Sequence, residues 1–295
     1  MRRSTLLAAL ALGLPSCDAG VGPSPLPTRP IVFVARSTAT PACDGLWSVE
    51  ADGTSLTELT GTPGCKFTPA VSPNGTRIAF SGEGPPAGIE VAQADGTHGV
   101  ALETADELDW YPAWSPDGSR IAFTSNSRGG DTTSAVWVMN ADGSGAHHVV
   151  TPGRLPTWSP DGRQLAYEGG DCQIWLVNVD GSNPHPLRQG GCRADTLQYQ
   201  PAWSPTALRI ATSSHVPVTG GSAIRILTMG ADGSSPRVLT DGADDTQPAW
   251  SPDGDHLVFL RLTKPYLPPV LSVIRADGTD LRQVTAAVVV QHPTW

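Results

Sequence analysis

The sequence predicts an all-β fold, a six-bladed β-propeller of four-stranded antiparallel blades, on three observations. Glycine and proline number 32 and 28 among 295 residues while charged residues make up 16%, a turn-rich composition poor in helix formers. A phrase of the form P-x-W-S-P-D-G recurs with its first proline at Pro69, Pro112, Pro156, Pro201, Pro248 and Pro293, at spacings of 43, 44, 45, 47 and 45 residues. Repeats of that length belong to propellers or solenoids. Between the copies lie short alternating apolar runs, the pattern of half-buried strands.

The first element in the chain is an export signal, residues 1–17, "MRRSTLLAALALGLPSC". Two arginines precede an apolar run from Leu6 to Leu14 that is too short to span a bilayer as a mature helix. Its end resembles a bacterial lipobox in Leu14, Ser16 and Cys17, so Cys17 is expected to carry lipid and hold the chain on a membrane. A plain secretory signal cleaved nearby is the alternative. Either places the protein in the bacterial cell envelope, on the periplasmic or surface side. Residues 18–30, "DAGVGPSPLPTRP", form a Pro/Gly-rich tether that cannot pack a core. Residues 31–295 are left for the propeller.

Within each unit the phrase itself is the first, innermost strand. The second strand reads "RIAFSG" from Arg77, "RIAFTS" from Arg120, "QLAYEG" from Gln164, "RIATSS" from Arg209 and "HLVFLR" from His256. The third, such as "VWVMNADG" from Val136, closes on an Asp-Gly turn, and the fourth is polar and carries Pro184, Pro186 and Pro236. Proline cannot donate to a ladder, so the fourth strand is the outer edge. In Ser-Pro-Asp-Gly the proline presets the turn, aspartate bonds nearby backbone and glycine accepts the left-handed position. "SPTA" at Ser204 to Ala207 lacks that glycine, which predicts a looser turn or another type. "IVFVAR" from Ile31 matches a second strand, so the "PTW" at Pro293 to Trp295 is expected to supply its inner strand. One C-terminal and three N-terminal strands then close the ring.

On these six spaced copies of the W-S-P-D-G phrase the chain resembles the TolB-like six-bladed β-propellers built from WD40-like repeats, over residues 31–295. The resemblance implies a stand-alone propeller, here an envelope lipoprotein. Propellers of that family also occur beside or within hydrolases and lyases, so it implies either a binding module or an enzyme.

Connections from the outer strand of one blade to the inner strand of the next gather around one mouth of the central channel. The residues before each proline, Thr68, Tyr111, Leu155, Gln200, Gln247 and His292, are therefore expected to ring that mouth, flanked by Phe67, Trp110 and Tyr199. A mostly polar ring with aromatics suits a peptide, a small polar ligand or another protein. The alternative is that the three flanking aromatics only pack between blades. Eight of the nine tryptophans follow the repeat and are expected between blades; Trp110 is the ninth. Asp109, Asp244 and Asp245 share the rim and, with channel carbonyls, would suit Ca²⁺; solvated loop acids are the other reading, since no D-x-[DN]-x-[DN]-G loop is present.

Catalytic signatures are absent: the chain has no G-x-S-x-G, H-E-x-x-H, C-x-x-C or Walker loop. No catalytic residue is assigned; a hydrolase or lyase would have to draw its acid and base from Asp109, Asp245 and His292. His147 and His148 are adjacent on an outer strand and point to opposite sides, so no metal site is assigned. A net charge of -9 without a basic stretch excludes nucleic acid. The expectation is a monomer without cofactor that binds an envelope protein or small polar ligand.

Cys43 and Cys65 occupy the same two places in their blade as Cys172 and Cys192 in theirs, at the start of the third strand and beyond the end of the fourth. Of the three connectivities open to four cysteines, Cys43 with Cys65 and Cys172 with Cys192 is predicted, and both imply an oxidising compartment.

Overall fold

The computed structural model describes residues 25–36, 43–59, 64–83, 88–102, 108–126, 128, 133–188, 197–242, 244–263, 268–285 and 290–295. The signal with Cys17, residues 18–24 of the tether, and Cys192 lie outside the described residues.

Each sequence repeat folds as expected, into strands and turns. Strands β1 (Ile31–Arg36), β2 (Asp44–Val49) and β3 (Thr57–Leu59) are followed by β4 (Lys66–Val71), β5 (Arg77–Gly82), β6 (Gly88–Gln93) and β7 (Val100–Ala101). Next come β8 (Asp109–Trp114), β9 (Arg120–Ser125), β10 (Ala135–Asn140) and β11 (His147–Val150), then β12 (Arg154–Trp158), β13 (Gln164–Glu168), β14 (Ile174–Asn178) and β15 (His185–Pro186). The last are β16 (Gln198–Trp203), β17 (Arg209–Val218), β18 (Gly221–Gly230), β19 (Arg237–Val238), β20 (Asp244–Trp250), β21 (His256–Leu262), β22 (Val270–Arg275), β23 (Arg282–Gln283) and β24 (Val290–Thr294).

Four sheets are separate four-stranded antiparallel blades: β24-β1-β2-β3, β4 to β7, β8 to β11 and β12 to β15. The C-terminal strand thus lies beside β1, and Trp295 donates its Nε1 hydrogen to the Arg29 carbonyl at 2.7 Å. The remaining strands form one eight-stranded sheet, which differs from the six separate blades expected. Its cause is local. Strands β17 and β18 are ten residues each, and the overhang of β18 reaches β20 through the single parallel pair Ile224 to Asp244.

Packing between consecutive four-strand sets supplies the core. Each of six buried clusters draws on two neighbouring sets, for example Val136, Val138, Trp158 and Leu165, or Ile31, Phe33, Val258 and Trp295. Burying such aliphatic and aromatic side chains contributes about 1.5–3 kcal/mol each. Trp114, Trp158 and Trp250 also donate across the junction, to the carbonyls of Ala70, Ala113 and Ala202 at 2.9–3.0 Å.

The turns carry their predicted chemistry. Asp117 Oδ1 accepts hydrogen bonds from Ser115 Oγ, the Ser119 amide and Ser119 Oγ, and Gly118 takes φ of 70°. The Asp-Gly turns repeat the device with the following Ser or Thr, as in Asp142 with Ser144. At "SPTA" the Ser204 amide still reaches the Arg209 carbonyl at 2.8 Å, without a left-handed residue; the Thr206 amide makes only a long 3.5 Å contact to Ser204 Oγ.

Cys43 and Cys65 are bonded, with Cα atoms 4.8 Å apart, which ties the start of β2 to the entry of β4. Cys172 is also disulfide-bonded, while its predicted partner Cys192 is not among the described residues.

Candidate functional site

Proline disfavours a right-handed helical conformation in the residue before it and usually leaves that residue extended. At the six inner strands a third outcome is taken. Thr68, Tyr111, Leu155, Gln200, Gln247 and His292 all adopt left-handed φ, between 48° and 56°. A left-handed non-glycine residue costs about 1–3 kcal/mol. Each one breaks the ladder register, as between Phe67 and Ala70 or between Trp110 and Ala113, and so forms a bulge.

The six bulged residues line one continuous channel cavity of about 440 Å³, with the repeat prolines and tryptophans below them. The predicted ring is therefore present as a set.

A girdle of hydrogen bonds holds the ring. The Tyr111 amide donates to Thr68 Oγ1 (3.2 Å), the Leu155 amide to Thr124 Oγ1 (3.0 Å) and the Gln200 amide to Glu168 Oε1 (2.6 Å). The Gln247 amide donates to Gln200 Oε1 (3.0 Å) and Ser213 Oγ (3.1 Å), and the His292 amide to Gln247 Oε1 (2.6 Å). Each acceptor comes from the preceding inner strand or the strand beside it, so neighbouring blades are stitched at the mouth.

Sequence reading missed the polar groups on the second strands that bond to the ring: Thr124, Glu168 and Ser213 accept its amides, and Ser81 pairs with Thr68 Oγ1. Ser81, Thr124, Glu168 and Ser213 hold one repeat position, four residues after Arg77, Arg120, Gln164 and Arg209, and all four are buried. A polar residue recurring there, in a strand otherwise read as core, was the available signal.

Side chains at and beside the mouth form three aromatic contacts. Tyr111 and His292 meet edge to face at 5.6 Å between ring centres, on either side of the small buried Thr68. Phe67 and Trp110 lie 5.6 Å apart with a 55° tilt, and Tyr199 meets His215 edge to face at 5.7 Å. Phe67, Trp110, Tyr111 and Tyr199 are half-buried, so the flanking aromatics pack on neighbours and keep one part open to solvent.

Burial pushes the His292 imidazole down to about 4, so it is neutral at physiological pH. Burial also raises the Tyr111 hydroxyl, with Arg154 opposing and Glu168 adding to the shift.

The rim acids differ from expectation. Asp109 and Asp245 have fully buried carboxylates instead of open ones: Arg128 holds Asp109 at 2.8 Å, and Arg261 holds both oxygens of Asp245 at 2.8 and 2.9 Å. A carboxylate buried in a blade needs such a partner. Both are thereby withdrawn from the open rim, the cation site and the acid-base set with His292 proposed for them. Asp244 is half-buried and accepts from the Ile224 amide at 3.1 Å. Among the described residues no group of three His, Cys, Asp or Glu is placed to hold a metal ion.

A family model described as the TolB beta propeller domain matches residues 26–295. No curated protein matches the sequence. Among solved structures, TolB from Acinetobacter baumannii superposes with a TM-score of 0.74 at 20% identity, over 90% of this chain and 66% of that one. The chain thus spans just under two thirds of that protein's length. A putative TolB from Agrobacterium tumefaciens gives a TM-score of 0.70 at 22% identity, over 89% of this chain and 90% of that one. An oligogalacturonate lyase in complex with manganese gives 0.56 at 14% identity, over 82% and 70%. Identities this low show a shared fold alone.

Proposed function

The chain belongs to the TolB β-propeller domain family, and from that membership we propose an exported, lipid-anchored envelope module that binds a protein segment or small polar ligand at its channel mouth. The ring carries this reading. Six inner strands each accept an unfavourable backbone to set a side chain at the mouth, and Tyr111, Gln200, Gln247 and His292 leave polar groups there without partners among the described residues. Polar groups converging on a cavity beside half-exposed aromatics are what a recognition site requires.

Six blades belong to the same proposal. The eight-stranded sheet is read as two blades, β16 to β19 and β20 to β23, supported by the single pair that joins them and by the core cluster packed between them. Export is supported by the Cys43 to Cys65 disulfide, which persists in an oxidising compartment, and anchoring rests on lipid at Cys17. The enzyme reading has less support, because the carboxylates it needs are committed to Arg128 and Arg261.

The test is in-cell crosslinking from a photoreactive residue introduced at Gln291, on the half-exposed rim, followed by mass spectrometry. A recurrent captured partner that is lost with Tyr111→Ala is expected. Capture indifferent to Tyr111→Ala overturns the assignment of this face.

A further inference from the structure

We propose that the channel mouth recognises a carboxylate, carried by an acidic side chain of the bound segment; this rests on the channel-mouth reading above and narrows it to one ligand chemistry. A backbone N–H can only donate, so whatever atom meets it must accept. The Gln247 and His292 amides therefore fix Gln200 and Gln247 with their Oε1 atoms turned to the neighbouring strand. Ser213 Oγ adds a second donor to Gln200 Oε1 at 2.7 Å. What remains on each glutamine is its Nε2 amino group, a donor of two hydrogens, and neither has a partner among the described residues. Structural use of the acceptors has left two adjacent glutamines as donors.

The rest of the lining agrees. The Tyr111 hydroxyl and the His292 ring nitrogens also lack hydrogen-bond partners among the described residues, and both side chains line the cavity. Thr68 Oγ1, which otherwise offers an acceptor, is engaged by Ser81 and the Tyr111 amide. Among the described residues Arg29 is the one lining residue with a formal charge, and its guanidinium meets the Ser72 and Pro73 carbonyls, at 3.4 and 2.8 Å, at the turn end of the inner strands and not at the girdle. Of the acids near the mouth, Asp109, Glu168 and Asp245 are each held by an arginine, and Asp244 accepts from the Ile224 amide. A mouth whose acceptors are engaged in the girdle and whose free polar groups are mainly donors selects a ligand rich in acceptor oxygens. A carboxylate fits, since its two oxygens take up to about four hydrogen bonds and charged acceptors bind roughly twice as strongly as neutral ones.

The proposal is tested on the full mature chain by NMR of the glutamine side-chain NH₂ groups, with the N-acetyl methylamides of glutamate, glutamine and lysine as probes. Saturable shifts of the Gln200 and Gln247 signals with the glutamate probe are expected, at an affinity at least tenfold above the other two. Gln247→Glu keeps an oxygen for the His292 amide and removes the donor, so it should preserve the melting temperature and weaken the glutamate probe at least tenfold. Tyr111→Phe removes one donor outside the girdle and should weaken it severalfold. Equal binding of the glutamine probe, undiminished binding by Gln247→Glu, or no shift at all overturns the proposal. If crosslinked capture from Gln291 survives any of those results, the mouth remains the binding face and only the acidic ligand is wrong.

Discussion

At His292 the imidazole lies against the Tyr111 ring at one end of the girdle, and burial alone moves its proton affinity. The folded protein holds it down to about 4 against 6.5 for the unfolded chain, so the unfolded state takes up the proton first. Stability is therefore complete above pH 6.5 and is lost as pH falls from 6.5 through about 4. His256, buried in β21 with both ring nitrogens unpartnered among the described residues, is shifted in the same direction by burial. The expected outcome is a urea midpoint lower at pH 4.5 than at pH 7, with a loss of up to about 3 kcal/mol from His292, much reduced in His292→Gln. Midpoints that do not change with pH would show that the imidazole is solvated. The position of His292 was legible, because it precedes a repeat proline. Its conformation was not, because that proline argues for extended backbone and only six strands converging on one axis select the left-handed form. The rim acids misled for a related reason: Arg261 lies opposite Asp245 only once β20 and β21 pair, a relation the spacing of 16 residues does not announce.

Among the elements, the turns were the most legible, since their chemistry is local. Asp117 organises one of them with three hydrogen bonds and is held down to about 2 chiefly by Ser115 and Ser119. Asp117→Ala should cost about 1–2 kcal/mol in urea unfolding at pH 7, whereas Thr206→Ala in the "SPTA" turn should cost little, because Thr206 makes only long contacts there. Equal losses would mean that the aspartate does not organise its turn. The sign with pH is that of a lowered carboxyl: the Asp117 contribution is present above pH 3.8 and lost as pH falls through about 2. Element length was less legible. The alternation of "RIATSS" continues through His215 and Val216 into the β17 to β18 overhang, with no residue marking where the blade stops. That overhang merges two sets of strands into one sheet, so the departure from six separate sheets comes from a few residues of extra hairpin.

For the whole molecule the decisive joint is the one between β24 and β1, where residues 266 apart in sequence share a hydrogen bond. The repeat made this joint legible, because each end carries the part of a unit that the other lacks. Trp158 and Trp295 allow a direct comparison: both are buried repeat tryptophans, each in an inter-set cluster, and each donates to a backbone carbonyl, Trp158 to Ala113 of the adjoining set at 2.9 Å and Trp295 to Arg29 just before β1 at 2.7 Å. Truncating a buried tryptophan costs about 3–5 kcal/mol where the surroundings cannot collapse. If the ring is closed energetically, Trp295→Ala and Trp158→Ala should lose about the same, and deletion of residues 291–295 should lose more than either, since it removes most of a strand from the ladder as well. A terminal strand that frays independently yields a different pattern: Trp295→Ala then costs under about 1 kcal/mol while Trp158→Ala keeps its full effect. Urea unfolding followed by tryptophan fluorescence and far-ultraviolet circular dichroism separates the two outcomes, because fraying makes the two signals diverge whereas a closed ring keeps them coincident.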